Sequence, residues 1–355
     1  MFRADSVRSS QSLSPGANTG ELAWKYSLPG SPSAPLIASS DGRIYTGVLF
    51  DNNWWSNEMF TRALSGAGQL EWRLKVTPYV WGYSQDLGGV PAIHPNGNIV
   101  MPSSNSELLK LGPNGSELWK LSGVNTSPNH HGVAILPNGN IYWNQNQSLK
   151  VISPTGQVIR TQQGGGASFN VLPTGEVFIE STRSTEPHTS FARGFYNADG
   201  SMRWSQTGIR GGSGRTMAMG PDGKIYFGPW ALSPVDGSKV WEDPAPIAVT
   251  GTAVGKNGQS YTFGRQIRAY NKDTGAVLWT VTLAGDLVSN VAIDSRDNIY
   301  GTTTTGQVIA VSASGQILWQ QNICDKFLSG PIIGPNSTVL AFGQIGPKKY
   351  ILAVR

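Results

Sequence analysis

One spacing recurs along the whole chain and limits what it can fold into: a glycine followed four residues later by a tryptophan. It occurs at Gly20/Trp24, Gly68/Trp72, Gly115/Trp119, Gly200/Trp204, Gly237/Trp241, Gly275/Trp279 and Gly315/Trp319. An eighth copy, Gly156 to Arg160, keeps the spacing and puts arginine in the aromatic place. Successive glycines stand 48, 47, 41, 44, 37, 38 and 40 residues apart. That period fits one four-stranded propeller blade.

A second landmark lies in every period, a tight turn between two apolar runs. The copies read IASSDGRIY (37–45), AIHPNGNIV (92–100), AILPNGNIY (134–142), NVLPTGEVF (170–178), AMGPDGKIY (218–226), AVGKNGQSY (253–261), AIDSRDNIY (292–300) and IIGPNSTVL (332–340). Asn-Gly and Asp-Gly supply the positive φ of a two-residue hairpin, so these segments are expected to join strands A and B of each blade. The glycine ahead of each tryptophan marks the C–D hairpin. Between the two lies a strand of alternating character such as GQVIAVS (306–312).

The two series are offset by one. The chain opens with a D strand, about 21–28, and closes with A, B and C strands in 330–354. The remnants complete one blade, so the N-terminal strand is expected to seal the ring against the C-terminal one and leave no open stack. The expected fold is all-β, an eight-bladed β-propeller of four-stranded antiparallel blades. Residues 14–355 form one domain, and residues 1–13 a polar leader that is disordered or docks.

Composition agrees with a turn-dense β protein: charged residues are 14%, glycines number 44, and the 39% apolar content recurs regularly rather than thinning out as in a disordered chain. The net charge of +5 is spread along the chain, with no basic run longer than a pair such as Lys348–Lys349. A nucleic-acid groove needs clustering, so nucleic acid is not an expected partner. The single cysteine, Cys324, rules out an intrachain disulfide and a four-cysteine zinc site. No apolar run reaches the length of a bilayer span, and the opening MFRADSVRSSQSLSPG lacks the apolar core of a secretory signal.

The recurring TG-x-x-x-W after a strand resembles the PQQ-like repeat family of eight-bladed propellers, over about residues 14–355. The resemblance implies the propeller fold. It leaves activity open, since the family holds both quinone-dependent dehydrogenases and non-enzymatic scaffolds that assemble outer membranes. The dehydrogenases that this chain resembles carry an adjacent Cys–Cys disulfide and a carboxylate-rich calcium site, and neither has a counterpart here. No cofactor and no metal are therefore expected. The envelope scaffolds carry an N-terminal lipidation cysteine, which this sequence lacks.

In an up-and-down blade the A–B and C–D turns lie on one face of the disc and the B–C and D–A connections on the other. The first set is short and uniform. The second varies, and binding residues concentrate on such loops. FDNNWWSNE (50–58), TPYVWGYSQDLGG (77–89), STRSTEPHTSFA (181–192) and SPNHHGVA (127–134) fall there. Trp54, Trp55, Tyr79, Trp81 and Tyr83 are candidate stacking platforms for sugar rings or partner side chains, with the alternative that some of them prop up the long loops.

Three residues before the A-strand alanine, or its equivalent, stand Ser33, Gly89, His131, Ala167, Arg215, Thr250, Ser289 and Ser329. His131 and Arg215 are the bulky exceptions, expected at the channel mouth on the irregular face near His130, Asn129, Asp86 and Asp286. They are candidates for binding a carboxylate, or for acting as base and charge neutraliser, against the alternative of a polar channel lining. His94 is expected to be structural and His188 solvated.

No nucleophile elbow or zincin helix is present, and GIRGGSGRT (208–216) feeds a strand where a phosphate loop would feed a helix. The reading that follows is a non-catalytic module binding a protein assembly or a surface glycan through the irregular face, as a virion tail or receptor-binding component at an extracellular surface. The alternatives are an envelope assembly scaffold and a propeller polysaccharide lyase using His130 or His131 with Arg215.

Overall fold

The computed structural model describes residues 12–32, 35–51, 57–76, 91–102, 107–122, 130–145, 148–163, 168–185, 188–209 and 217–355. Among these every regular element is a β-strand, gathered into eight antiparallel sheets. Blade 1 holds Ile37–Ala38, Ile44–Asp51, Asn57–Leu64 and Leu70–Val76 as strands A to D, with Ser31–Pro32 also paired to its B strand. Blades 2 and 3 run Ala92–Ile93, Ile99–Pro102, Glu107–Leu111, Glu117–Ser122 and His130–Ile135, Ile141–Gln145, Ser148–Ile152, Val158–Gln163. Blades 4 and 5 run Ser168–Val171, Val177–Thr185, His188–Tyr196, Met202–Ile209 and Met217–Met219, Ile225–Phe227, Trp230–Leu232, Lys239–Glu242. Blades 6 and 7 run Gly251–Val254, Ser260–Phe263, Gln266–Tyr270, Val277–Thr282 and Ala292–Ile293, Ile299–Thr302, Gln307–Val311, Ile317–Asn322.

Blade 8 joins the two ends of the sequence. Its A, B and C strands are Ile332–Gly334, Thr338–Ile345 and Lys348–Val354, with Lys326–Phe327 also paired to B, and its D strand is Leu22–Ser27. Leu22 faces Val354 and Trp24 faces Ala353, so the ring is sealed by the chain's first strand as expected. Arg355 continues the ladder, its carbonyl accepting from the N–H groups of Thr19 and Gly20.

The core is the set of seams between blades. In blade 1, Ile44, Val48 and Leu64 pack on Leu340, Phe342 and Ile351 of blade 8, while Tyr45 and Ala63 face blade 2. Alternating strands send successive side chains to opposite faces, so each blade supplies two apolar surfaces. Each tryptophan closes a seam. Trp24 meets Gly68, Trp72 meets Gly115, Trp119 meets Gly156, Trp204 meets Gly237, Trp241 meets Gly275, Trp279 meets Gly315 and Trp319 meets Gly20, always on the next blade. Six of the indole N–H groups donate to a carbonyl of that turn, from Trp72 to Pro113 at 2.8 Å to Trp119 to Pro154 at 3.1 Å. Burying such a ring removes on the order of 150–250 Å² from water, several kcal/mol as an upper bound at about 25 cal/mol per Å².

One local expectation is corrected. The Asn-Gly and Asp-Gly hairpins do not use two-residue loops. In blade 2 the Gly97 N–H donates to the His94 carbonyl and the His94 N–H to the Asn98 carbonyl, which is a three-residue loop with only the glycine at positive φ. The asparagine instead accepts the N–H two residues on, as Asn96 does from Asn98. In blade 8 Gly334 pairs Thr338 and again leaves three residues, but here Asn336 and Ser337 take the positive φ, 56° and 55°, and the Thr338 N–H donates to the Pro335 carbonyl. Each C–D hairpin also carries a β-bulge. In all eight blades the residue before the tryptophan, or before Arg160, is an extra one that shifts the C–D register. A bulge twists an outer strand away from edge pairing.

Candidate functional site

The A–B and C–D turns make a nearly level face. Its charges are tied down: Arg43 bonds Asp41 and Glu71, Arg203 bonds Glu176, and Lys224 bridges Asp222 to Asp273 of the next blade. Residues 12–17 lie on this face. Ser12 N–H donates to the Ile293 carbonyl at 2.7 Å, Gly16 N–H to Asp294 Oδ2 at 3.0 Å, and Tyr300 Oη to the Ala17 carbonyl at 3.1 Å. Asp294 is fully buried and also accepts from Arg296, Asn298 and Tyr300. Burial alone would raise its carboxyl pKa, yet the hydrogen bonds from Gly16, Asn298 and Arg296 outweigh it and hold the group below its usual value. This segment thereby reaches the axis, where residues 12–14 wall a cleft of about 760 Å³ together with the A–B turns of blades 1, 2 and 8.

The opposite face is uneven because blades differ in height. The B and C strands of blade 1 are eight residues each, those of blade 4 nine each, and those of blade 8 eight and seven. Blade 5 has only three in each. Three hairpins therefore stand above the disc. At the foot of the blade 4 hairpin, Arg193 and Glu180 are paired across strands B and C at 3.3 Å, both buried. The guanidinium lies over Phe227 at 4.3 Å and Trp230 at 5.1 Å, so the tall blade leans on its truncated neighbour. Burial raises the Glu180 carboxyl and lowers the Arg193 guanidinium, each partly offset by the other's charge.

Of the sequence candidates, Trp54, Trp55, Tyr79, Trp81, Tyr83, Arg215, Asn129 and Asp86 lie outside the described residues. His130 and His131 open strand A of blade 3, where His130 faces Gln145 across a register shift that precedes Val133. The aligned positions are structural wherever side chains are described: Thr250 Oγ1 donates to the Phe263 carbonyl, and Ser289 Oγ accepts from Gly330 N–H of the next blade. Ser329 Oγ accepts from Phe342 N–H. In blade 1, Ile37 pairs Tyr45 as Ala92 pairs Val100, so the aligned residue there is Ala34, one beyond Ser33; both lie outside the described residues. His94 is buried, its Nδ1 2.6 Å from Asn96 Oδ1 and its Nε2 3.2 Å from the Gly139 carbonyl, and burial followed by Lys110 lowers its pKa.

A group that the sequence reading missed stands on the blade 8 hairpin. Lys326, Gln344 and Lys349 are cross-strand neighbours in three adjacent strands, Lys348 follows at the hairpin end, and Lys25 lies over the Tyr350 ring at 5.3 Å. The pair Lys348–Lys349 was visible in the sequence. Lys25 and Lys326 join it only through register.

The quinone and calcium that the resemblance brings with it do not fit the residues described. Cys324 is half-buried against Gly343, with the Gly306 backbone packed on its carbonyl, and has no second cysteine. Among the described residues no three of His, Cys, Asp and Glu gather. No helix among them is long and apolar enough to cross a membrane.

Residues 264–342 match the family described as outer membrane protein assembly factor BamB. No curated protein matches the chain in sequence. Among solved structures, a europium-containing methanol dehydrogenase aligns with a TM-score of 0.67 at 12% identity, over 97% of this chain and 89% of that one. BamB from Moraxella catarrhalis aligns with a TM-score of 0.59 at 14% identity, over 94% and 97%. The computationally designed Ika8 protein aligns with a TM-score of 0.66 at 14% identity, over 96% and 100%. Likeness at these identities shows the fold, an eight-bladed β-propeller, and within it residues 264–342 carry the PQQ-like, BamB-type repeat.

Proposed function

We propose that the protein is a non-catalytic recognition module that holds a protein assembly or a surface glycan on its irregular face, as a component of a virion tail or a comparable extracellular structure. The observation that carries the reading is the contrast between the two faces. One is level and pairs Arg43, Arg203, Lys224 and Arg296 with carboxylates, while the other raises the hairpins of blades 1, 4 and 8 above the truncated blade 5. Loops and hairpins on a rigid frame are where binding residues concentrate. Replacing Trp54, Trp55 and Trp81 by alanine is expected to abolish retention on capsule or cell-wall polysaccharide with the melting temperature nearly unchanged. Retention equal to the wild type rejects the glycan form of the reading.

A second setting, assembly of an envelope complex, is favoured by the family match over residues 264–342. It predicts co-purification with a larger membrane complex from the native source. Recovery of free monomer alone counts against it.

A further inference from the structure

We infer that the blade 8 hairpin is a binding surface for an acidic polysaccharide. The inference rests on the reading of the irregular face as the binding face and adds to it a place and a charge. Four lysines from opposite ends of the sequence stand on this hairpin: Lys326 and Lys349 share one face of the sheet with Gln344, and Lys25 and Lys348 share the other with Tyr350. Lys25, Lys326 and Lys348 are exposed and Lys349 is half-buried. Among the described residues none has a carboxylate at ion-pair distance: Lys349 Nζ donates to Ser31 Oγ at 2.7 Å, and Lys25 rests on the Tyr350 ring. The nearest acid in sequence, Asp325, turns its Oδ2 to the Gly346 N–H at 2.7 Å.

The opposite face shows that this is not the habit of the molecule. There Arg43, Arg203, Lys224 and Arg296 each bond at least one carboxylate. Unpaired ammonium groups on adjacent strands repel one another and lower the stability of an edge, unless a counter-charge arrives.

The chemistry of the surface selects among polyanions. Strands lie about 4.8 Å apart, so Lys326 and Lys349, two strands apart across Gln344, are separated by about 10 Å at the backbone. That is a flat row of mobile point charges with an amide between them, suited to the carboxylates and hydroxyls of a hydrated sugar chain. Arginine forks, the better match for bidentate phosphate recognition, are missing from the row. The adjacent ring, Tyr350, has one face under Lys25 and packs against the seam with blade 7, which makes it a poor stacking platform for a base. A protein partner would want an apolar centre. The large apolar side chains exposed among the described residues all lie elsewhere, on D strands beside the C–D turns, in a C–D turn or in the leader.

The test uses the full chain and polygalacturonate, a linear polyuronate, with dextran as the neutral control and polyglutamate and single-stranded DNA as the other polyanions. Affinity is read by biolayer interferometry at low and at physiological salt. Polygalacturonate is expected to bind more tightly than either other polyanion, and dextran not at all. The triple variant Lys326→Glu, Lys348→Glu, Lys349→Glu is expected to weaken it at least tenfold, and the matching Gln triple to give an intermediate loss. A charge-matched variant on the level face, Lys239→Glu, Lys256→Glu, Lys272→Glu, is expected to bind like the wild type. Equal loss in both Glu triples would reduce the effect to net charge and overturn the inference, as would tighter binding of polyglutamate or DNA. Failure here leaves the tryptophan-dependent retention assay unaffected, so the two readings fall separately.

Discussion

The indole of Trp24 lies against Gly68 of the neighbouring blade, with its Cε3 2.5 Å from the point where a Cβ on that glycine would stand. The spacing that marks the repeat is thus a contact between repeats: each tryptophan reads the glycine of the next copy. The eighth seam makes the same point with different chemistry. Arg160 packs on Gly200 and its Nη1 donates to the Ala198 carbonyl at 2.7 Å, the bond that tryptophan makes elsewhere. The guanidinium reproduces the indole's contact and donor. Among the seven seam tryptophans, the indole N–H left without a partner belongs to Trp319, at the seam where the two chain ends meet.

Gly68→Ala is expected to cost about 1–3 kcal/mol by overpacking in addition to the strain of its φ of 77°. Gly97→Ala, where the nearest atom is 4.0 Å away, bears the φ strain alone, about 1–2 kcal/mol. Urea unfolding of the two variants separates the steric part from the conformational part.

Arg160→Trp is expected to keep stability within about 1 kcal/mol of the wild type, because the indole finds both the glycine and the carbonyl acceptor in place. Arg160→Ala loses the packing and the donor together, and should cost about 1–3 kcal/mol. A Trp variant as unstable as the Ala variant would show that the seam has repacked around arginine.

The Glu180–Arg193 pair occupies the register position that Phe263 and Ile267 fill in blade 6. Arg193→Ile alone strands a buried carboxylate and should cost about 3–5 kcal/mol. Glu180→Phe with Arg193→Ile should recover most of that loss or exceed the wild type. Chemical denaturation of the two singles and the double closes the cycle.

Attachment of residues 12–17 should depend on pH through Asp294. Its folded pKa is depressed, so the stabilisation is fully present above the unfolded value of about 4 and is lost as pH falls through the lower folded value. Amide exchange in residues 12–20 should rise on acidification before the blade strands open. Asp294→Asn should show the faster exchange at neutral pH and little further change with acid.

Much of this architecture was readable in the sequence. The Gly-x-x-x-Trp series gave the blade count, and its offset from the A–B turns predicted the Leu22–Val354 pairing. The level face followed from the uniform turns. Loop length in those turns was misjudged, since Asn-Gly is compatible with both the two-residue and the three-residue hairpin and the dipeptide alone does not choose. Of the site, the sequence supplied the long loops and their aromatic residues. It did not supply the lysine row or the buried carboxylate under residues 12–17.

The sequence by itself determined the repeat, the blade number and the closure, because each is written within about ten residues as turn chemistry and period-two alternation. The tertiary structure decided which distant side chains become neighbours. Lys25 reaches Tyr350, Gly16 reaches Asp294, and Arg160 takes over a tryptophan's seam. Those pairings depend on register between strands and on the rotation from one blade to the next. A one-residue slip turns a side chain to the other face of its sheet, and only the assembled ring fixes that choice.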